Sequence, residues 1–367
     1  MSTTSANEPA AETENLNIAS QRVLASPASL KQSLPATDAI KTSVRTHRRA
    51  IKNVLAGTDQ RFLVVAGPCS IHNVDEALEY ADKLKHLAAE VSDNLLIIMR
   101  AYFEKPRTTV GWKGLINDPF LDDSFRIEAG VQMARQLLLD MAELGLPLST
   151  EALDPIMPQY LHDLISWTAI GARTTESQTH RELASGLSSP VGFKNGTDGS
   201  LDVALNALQS VAHPHRFLGI NEAGEVAITT TSGNPAAHIV LRGGSKGPNY
   251  SPEQVAACEA ALRENNLDQN IMIDCSHANS AKNHQKQIGV ARNVAQQITA
   301  GNNSIVGIML ESNLAAGRQN LQPGIELTKG VSITDACVSF TETRELLLEL
   351  QDELAGPLGQ RKREQAA

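Results

Sequence analysis

Long apolar runs, an excess of basic charge and paired cysteines are all missing from this sequence. No stretch approaches the roughly 20 apolar residues that a membrane span needs. The formal net charge is −9, whereas a nucleic-acid binder shows a net basic face or tail. The opening residues, MSTTSANEPAAETENLNIAS, lack the basic and apolar regions of a secretory signal. Cys69, Cys258, Cys275 and Cys337 are widely scattered with no C-x-x-C pair, which argues against a zinc ribbon. So few cysteines in an acidic chain fit a reducing cytosol. The expectation is a cytoplasmic protein with neither a membrane nor a nucleic-acid partner.

What is present is a rhythm. The runs RFLVVAGPCS, NLLIIMRAYF, LPLSTEAL, WTAIGART, PVGFKNG, HIVLRGG, IMIDCSH and SIVGIMLES read as strands. Segments with helical apolar spacing, such as NVDEALEYADKLKHLAAEV and RIEAGVQMARQLLLDMAELG, lie between them. The strands are near-continuous apolar runs, as in a parallel sheet covered by helices. With 367 residues, 41% hydrophobic, the chain can bury one large core. The fold class predicted is α/β, a (β/α)8 TIM barrel. A doubly wound open sheet is the alternative, and the Gly-rich dinucleotide fingerprint it often carries after its first strand is absent. Residues 1–20 read as a flexible polar tail and 21–57 as an N-terminal extension. The barrel spans 58–355, and a polar C-terminal tail covers 356–367. The basic segment AIKTSVRTHRRAIKNVLAG reads as a solvated helix face. One unit is interrupted at 213–235, where FLGI and EVAITT flank NEAG, a hairpin signal before the sixth barrel strand. Such an insertion serves decoration, oligomer contact or regulation.

Barrel active sites lie at the C-terminal ends of the strands. Those ends carry Cys69, Arg100, Arg173, Lys194, Arg242, His277 and Glu311, with Lys105, Arg107 and Thr108 in EKPRTT just beyond the second strand. Any single Arg there is explained by a structural salt bridge. Six cations on one rim of an acidic protein fit an anion site better, because Arg offers bidentate donors and Lys a mobile charge. Cys69, His277, Glu311 and Asp335 form a second set that could converge on one divalent transition metal. Each also has a plain structural explanation, Cys69 as a small buried side chain and His277 as a core imidazole. In IMIDCSH, Cys275 and His277 share strand parity, so both could face inward, with His277 reaching the mouth and Cys275 packed below.

The blocks AGPCSIH, MRAYFEKPRTTVGWKGLINDP, STEALDP, GARTTESQTHRELASGLSSPVGFKNGTDG, LRGGSKGPNYS, DCSHANSAK, GIMLESNL and GVSITDAC occur in order and closely resemble the type I 3-deoxy-D-arabino-heptulosonate 7-phosphate (DAHP) synthases over residues 25–355. The resemblance implies a transferase that condenses phosphoenolpyruvate with erythrose 4-phosphate and water to give DAHP and phosphate, the first step of the shikimate pathway. It implies one divalent metal ion (Mn, Fe, Co or Zn) on Cys69, His277, Glu311 and Asp335. Phosphoenolpyruvate falls to Arg100, Lys105, Arg173, Lys194 and Arg242, and the sugar phosphate to Arg107 and Thr108. Lys105 is the candidate proton donor to the aldehyde oxygen, with a metal-bound water as its rival, and Glu151 is the candidate group for activating water. GGSKGPNY is one residue longer than in some members, which leaves the local loop shape open.

Family members are also inhibited by one aromatic amino acid near the hairpin. The corresponding residues are Asp154, Pro158, Gln159, Leu183, Leu187, Ser188, Phe217, Gly219 and Thr229. Glycine at 219 matches the tyrosine-sensitive branch, with phenylalanine the alternative inhibitor. The N-terminal extension implies a homodimer or homotetramer. Two rival readings remain: the related synthase that uses arabinose 5-phosphate, and a non-catalytic amino-acid sensor on the same barrel.

Overall fold

The computed structural model describes residues 13–107, 109–322 and 324–361. Two helices, α1 (Pro27–Ser33) and α2 (Asp38–Leu55), precede the repeating units. The units run β1 (Phe62–Gly67), α3 (Val74–Glu90), β2 (Leu95–Arg100), α4 (Ile127–Glu143), β3 (Leu148–Glu151), α5 (Met157–Leu161), β4 (Trp167–Ile170), α6 (Gln178–Gly186), β5 (Val191–Lys194) and α7 (Asp202–Val211). A hairpin, β6 (Arg216–Ile220) and β7 (Val226–Thr230), then intervenes. The chain continues through β8 (Ala237–Leu241), α8 (Pro252–Glu264), β9 (Ile271–Asp274), α9 (Lys286–Thr299), β10 (Ile305–Asn313), β11 (Val338–Ser339) and α10 (Phe340–Gly359). The parallel order β1-β2-β3-β4-β5-β8-β9-β10 closes on itself through β1–β10 pairing. It is the expected barrel, and every predicted strand segment contributes a strand.

Period-two alternation sorts each strand between two cores. Leu63 and Val65 of β1, Ile98 of β2, Trp167 and Ala169 of β4, Val240 of β8, Met272 of β9 and Met309 of β10 fill the interior. Phe62, Val64, Ile97, Met99, Ile239, Leu241, Ile271 and Ile273 face the helices instead. The interior cluster also contains Ile51, Val54 and Leu55. The last turns of α2 therefore plug the end of the barrel opposite the strand C-termini.

Three expectations are corrected. Cys275 packs with Ile271 and Ile273 in the helix-facing core, and Asp274 shares the inward parity of Met272. The basic face of α2 is only partly solvated: Arg48 donates to the carbonyls of Ile165 (2.8 Å) and His162 (2.6 Å). The C-terminal tail starts later than expected, because α10 runs to Gly359 with Leu354 and Leu358 buried against the core. A capping box holds its start: Ser339 accepts from the Glu342 N–H while Glu342 accepts from the Ser339 N–H, an arrangement that satisfies two otherwise orphan donors. Of the predicted tails, residues 1–12 and 362–367 lie outside the described residues, and 13–20 form neither helix nor strand. The NEAG hairpin forms as predicted, with Gly224 at φ +82° in its turn. Among the described residues no helix is long and apolar enough to cross a membrane.

Candidate active site

A cavity of about 640 Å³ opens at the C-terminal ends of the strands. The alternation that fills the interior also delivers its floor. Two residues beyond Ile98 comes Arg100, beyond Gly192 comes Lys194, beyond Met272 comes Asp274, and beyond Met309 comes Glu311. Arg100, Lys105, Arg107, Arg173, Lys194 and Arg242 all line the one cavity, with Glu151, His277, Glu311 and Asp335. Thr108 lies outside the described residues.

Two of the cations are held by buried acids. Arg100 meets Glu311 Oε1 at 3.1 Å, and Lys194 Nζ meets Asp274 Oδ2 at 2.8 Å. Burial works against the charge of Asp274, but Lys194 and His277 outweigh it and hold its carboxyl well below the usual range. Arg173 and Arg242 enter no ion pair among the described residues, and the charge of Arg242 is disfavoured by burial first and then by Arg173. Such an arrangement is costly until an anion arrives. Lys105 Nζ lies 3.1 Å from Cys69 Sγ and 3.2 Å from its carbonyl. Burial opposes the charge of Lys105, yet Cys69 and Glu311 raise its pKa, so its ammonium stays protonated.

Cys69, Glu311 and Asp335 offer one donor atom each within 4.8 Å of one another. The thiol is pushed up to about 11, by burial first and then by Glu311 and Asp335. A dication would remove that penalty, since coordination favours the thiolate. The fourth predicted ligand, His277, lines the same cavity but is not among the donors within 4.8 Å of one another. Its Nε2 lies 3.4 Å from both Asp274 Oδ2 and Lys194 Nζ. His277 adopts φ +56°, a left-handed conformation costly for a side chain that bears a Cβ. The donor set, one sulfur, two carboxylates and an adjacent imidazole, suits a divalent transition metal.

Glu151 ends β3 with Oε1 buried and without a hydrogen-bond partner among the described residues. A Cβ on Gly171 would stand 2.2 Å from that oxygen, so any larger residue there would push the carboxylate out of this position. Three supporting residues escaped the sequence reading. Asp274 was one parity step from where inward chemistry was sought. Asn195 accepts from the Arg242 N–H (2.8 Å) and donates to the Gly243 carbonyl (3.0 Å), fixing the end of β8. Gln287 of α9 makes a reciprocal pair with the backbone of Glu311, at 2.9 and 3.1 Å. Only Asp274 left a signal, two residues after Met272.

A second cavity, about 460 Å³, lies between the hairpin and the N-terminal helices. Pro158, Gln159, Leu183, Leu187, Ser188, Phe217 and Thr229 line it, as do Lys41, Arg45 and Arg48 of α2. Of the remaining predicted residues, Asp154 caps the turn into α5 by accepting from the Ile156 N–H at 2.7 Å. Gly219 shares the hairpin face of Phe217: a Cβ there would meet Thr229 Oγ1 at 3.0 Å and the Phe217 ring at 3.5 Å. The opposite face shows Leu218, Val226 and Ile228, 76–80% exposed.

The chain matches the family model described as the DAHP synthetase I family over residues 30–349. It is 57% identical over 345 residues to a Tyr-sensitive phospho-2-dehydro-3-deoxyheptonate aldolase of Escherichia coli (strain K12), covering 94% of this chain and 97% of that one. It is 52% identical over 339 residues to a Phe-sensitive one of the same strain, covering 92% and 97%. Among solved structures, a phospho-2-dehydro-3-deoxyheptonate aldolase from Francisella tularensis SCHU S4 superposes with a TM-score of 0.90 at 48% identity, covering 94% of this chain and 100% of that one.

Proposed function

The chain belongs to the DAHP synthetase I family, and from that premise we propose how its two cavities serve a synthase that condenses phosphoenolpyruvate with erythrose 4-phosphate and water to give DAHP and phosphate. The observation that carries the proposal is the convergence of Arg100, Lys105, Arg107, Arg173, Lys194 and Arg242 on one cavity, where only Arg100 and Lys194 are ion-paired among the described residues. Arg173, Arg242 and Lys194 take the phosphate of phosphoenolpyruvate. Arg100 and Lys105 take the part nearer the donor trio, and Arg107 the sugar phosphate. Cys69, Glu311 and Asp335, joined by His277, would hold one divalent ion; Mn, Fe, Co and Zn all suit the donors. Bound there, such an ion supplies Lewis acidity toward the aldehyde.

The methylene carbon of phosphoenolpyruvate attacks the aldehyde carbon, and negative charge develops on the aldehyde oxygen. Lys105, kept protonated and within 3.1 Å of Cys69 Sγ, donates the proton that neutralises it. Glu151, whose Oε1 is buried and unpartnered among the described residues, accepts a proton from the water that adds at the enol carbon. Phosphate leaves by carbon–oxygen cleavage, its charge balanced by Arg173, Arg242 and Lys194.

The second cavity takes the inhibitor. Lys41, Arg45 and Arg48 suit a free carboxylate, and Leu183, Leu187 and Phe217 suit a ring. Glycine at 219 leaves space on the cavity-facing side of the hairpin, which favours tyrosine over phenylalanine. A Gly219→Ser variant loses tyrosine inhibition and gains phenylalanine inhibition; an unchanged inhibitor profile refutes the assignment. The apolar outer face of the hairpin joins the N-terminal extension in self-association, as a homodimer or homotetramer. The catalytic proposal is tested by supplying phosphoenolpyruvate with either erythrose 4-phosphate or arabinose 5-phosphate and following both products. Heptulosonate and phosphate formed one-to-one from the four-carbon sugar is the expected result. Turnover of the five-carbon sugar alone contradicts it.

A further inference from the structure

We infer that Tyr102 is a positioning residue for Arg100: its ring clamps the guanidinium so that the one free edge of that group faces the substrate cavity. The inference rests on the reading of Arg100 as a phosphoenolpyruvate ligand. Tyr102 follows Arg100 by two residues and continues the inward parity of β2. Its backbone is fixed where the Ile71 N–H donates to its carbonyl at 2.9 Å. The side chain is fully buried and belongs to the barrel-interior cluster with Ile98 and Met309. The Arg100 guanidinium carbon sits 3.5 Å from the centroid of the ring. The negative face of an aromatic ring attracts a cation most strongly where water is excluded.

The edges of the guanidinium are also assigned. Nε donates to the Pro68 carbonyl at 3.0 Å. Nη2 donates to the Cys69 carbonyl and to Glu311 Oε1, both at 3.1 Å. Nη1 takes no partner among the described residues, although Arg100 lines the cavity. Guanidinium is a rigid planar fork. Two restrained edges and a clamped face therefore direct the remaining edge at whatever anion enters. The same contacts join the substrate site to the backbone and side chain of two donors of the trio, Cys69 and Glu311.

The hydroxyl contributes nothing to this clamp. It is buried without a hydrogen-bond partner among the described residues, so phenylalanine should serve as well. That separates the inference from a space-filling role, in which the ring matters only by its volume.

The test measures steady-state kinetics of the metal-loaded enzyme for Tyr102→Phe, Tyr102→Leu and Tyr102→Met, each also in an Arg100→Lys background. Tyr102→Phe keeps the KM for phosphoenolpyruvate within about twofold. Tyr102→Leu and Tyr102→Met raise it roughly ten- to thirtyfold, with the KM for erythrose 4-phosphate little changed. In the Arg100→Lys background the same replacements add less than about twofold, because the group they orient is gone. Should the leucine variant not fold, the methionine variant carries the measurement. The inference is overturned if the apolar variants keep the wild-type KM, if phenylalanine does as badly as leucine, or if the loss is equal in both backgrounds. If Arg100→Lys alone leaves that KM unchanged, the reading of Arg100 fails and takes the inference with it. If Arg100→Lys raises it and the Tyr102 variants do not, only the inference fails.

Discussion

Replacing Asp274 by asparagine keeps the shape of the side chain and removes its charge. Asp274 and Lys194 meet at 2.8 Å with only 1% and 5% of their side chains exposed. Removing one partner of a buried pair leaves the other charge uncompensated, at a cost of about 3–5 kcal/mol. The entropy of unfolding is about 2.1 cal/mol/K per residue, or about 0.8 kcal/mol/K for 367 residues. The expected fall in Tm is therefore about 4–6 °C, measurable by scanning fluorimetry. Asparagine can still accept the bonds that Ser276 makes to Oδ1, one from its N–H at 3.0 Å and one from its hydroxyl at 2.6 Å. The strand end then keeps its shape, and the loss falls on the orientation of Lys194 and His277. A misplacement of about 1 Å in a reacting group can cost about a hundredfold in rate. The variant should accordingly lose one to two orders of magnitude in kcat/KM for phosphoenolpyruvate. A Tm within about 1 °C of wild type, together with an unchanged kcat/KM, would refute the claim that Asp274 holds this part of the site.

Three further outcomes follow from other contacts. Gly171→Ala forces a methyl group against Glu151 Oε1, where a Cβ would stand 2.2 Å away; kcat should fall at least tenfold with substrate KM values little changed, and a wild-type kcat would remove Glu151 from the water step. His162 is partly buried, with its Nε2 shut off from solvent, and its pKa is lowered to about 3, by desolvation first and then by Arg48 and Lys31. A depressed histidine contributes stability that is full above its unfolded value near 6.5 and is lost as pH falls toward the folded value, at up to about 1.36 kcal/mol per pH unit. His162→Gln should therefore lose about 2 kcal/mol less than wild type between pH 7 and pH 5 in urea titrations, and parallel pH curves would contradict the assignment. The Gly219→Ser exchange of inhibitors is read by activity against tyrosine and phenylalanine over a concentration series.

Much of the site was legible because a barrel strand puts its chemistry two residues beyond its last interior side chain. The strand ends named Arg100 and Glu311, and each stands two residues beyond an interior side chain, Ile98 and Met309. IMIDCSH misled for a physical reason. A strand buried on both faces has no polar alternation to report which parity is inward. Cys275 was placed on the inner face, where Asp274 stands. The role of Arg48 was hidden for another reason. Its partners are the carbonyls of His162 and Ile165, more than a hundred residues away, and a basic amphipathic helix looks solvated until the surface it packs on is known. Asn195 and Gln287 act through backbone groups, which leave no trace in side-chain pattern. Tyr102 did carry a signal, two residues after Arg100, but aromatic residues at the end of an apolar run are ordinary core residues until a cation is seen on the ring.

The central claim is that Cys69 and Glu311, both buried, and the more exposed Asp335, with His277, form one working site with the cations around them. The direct measurement is product formation by chelator-stripped enzyme given phosphoenolpyruvate and erythrose 4-phosphate, before and after Mn²⁺ is returned, with Cys69→Ser beside the wild type. Activity that vanishes on stripping, returns with the metal in the wild type and fails to return in Cys69→Ser is the predicted result. Full activity in the stripped enzyme, or equal recovery in the variant, would contradict the claim.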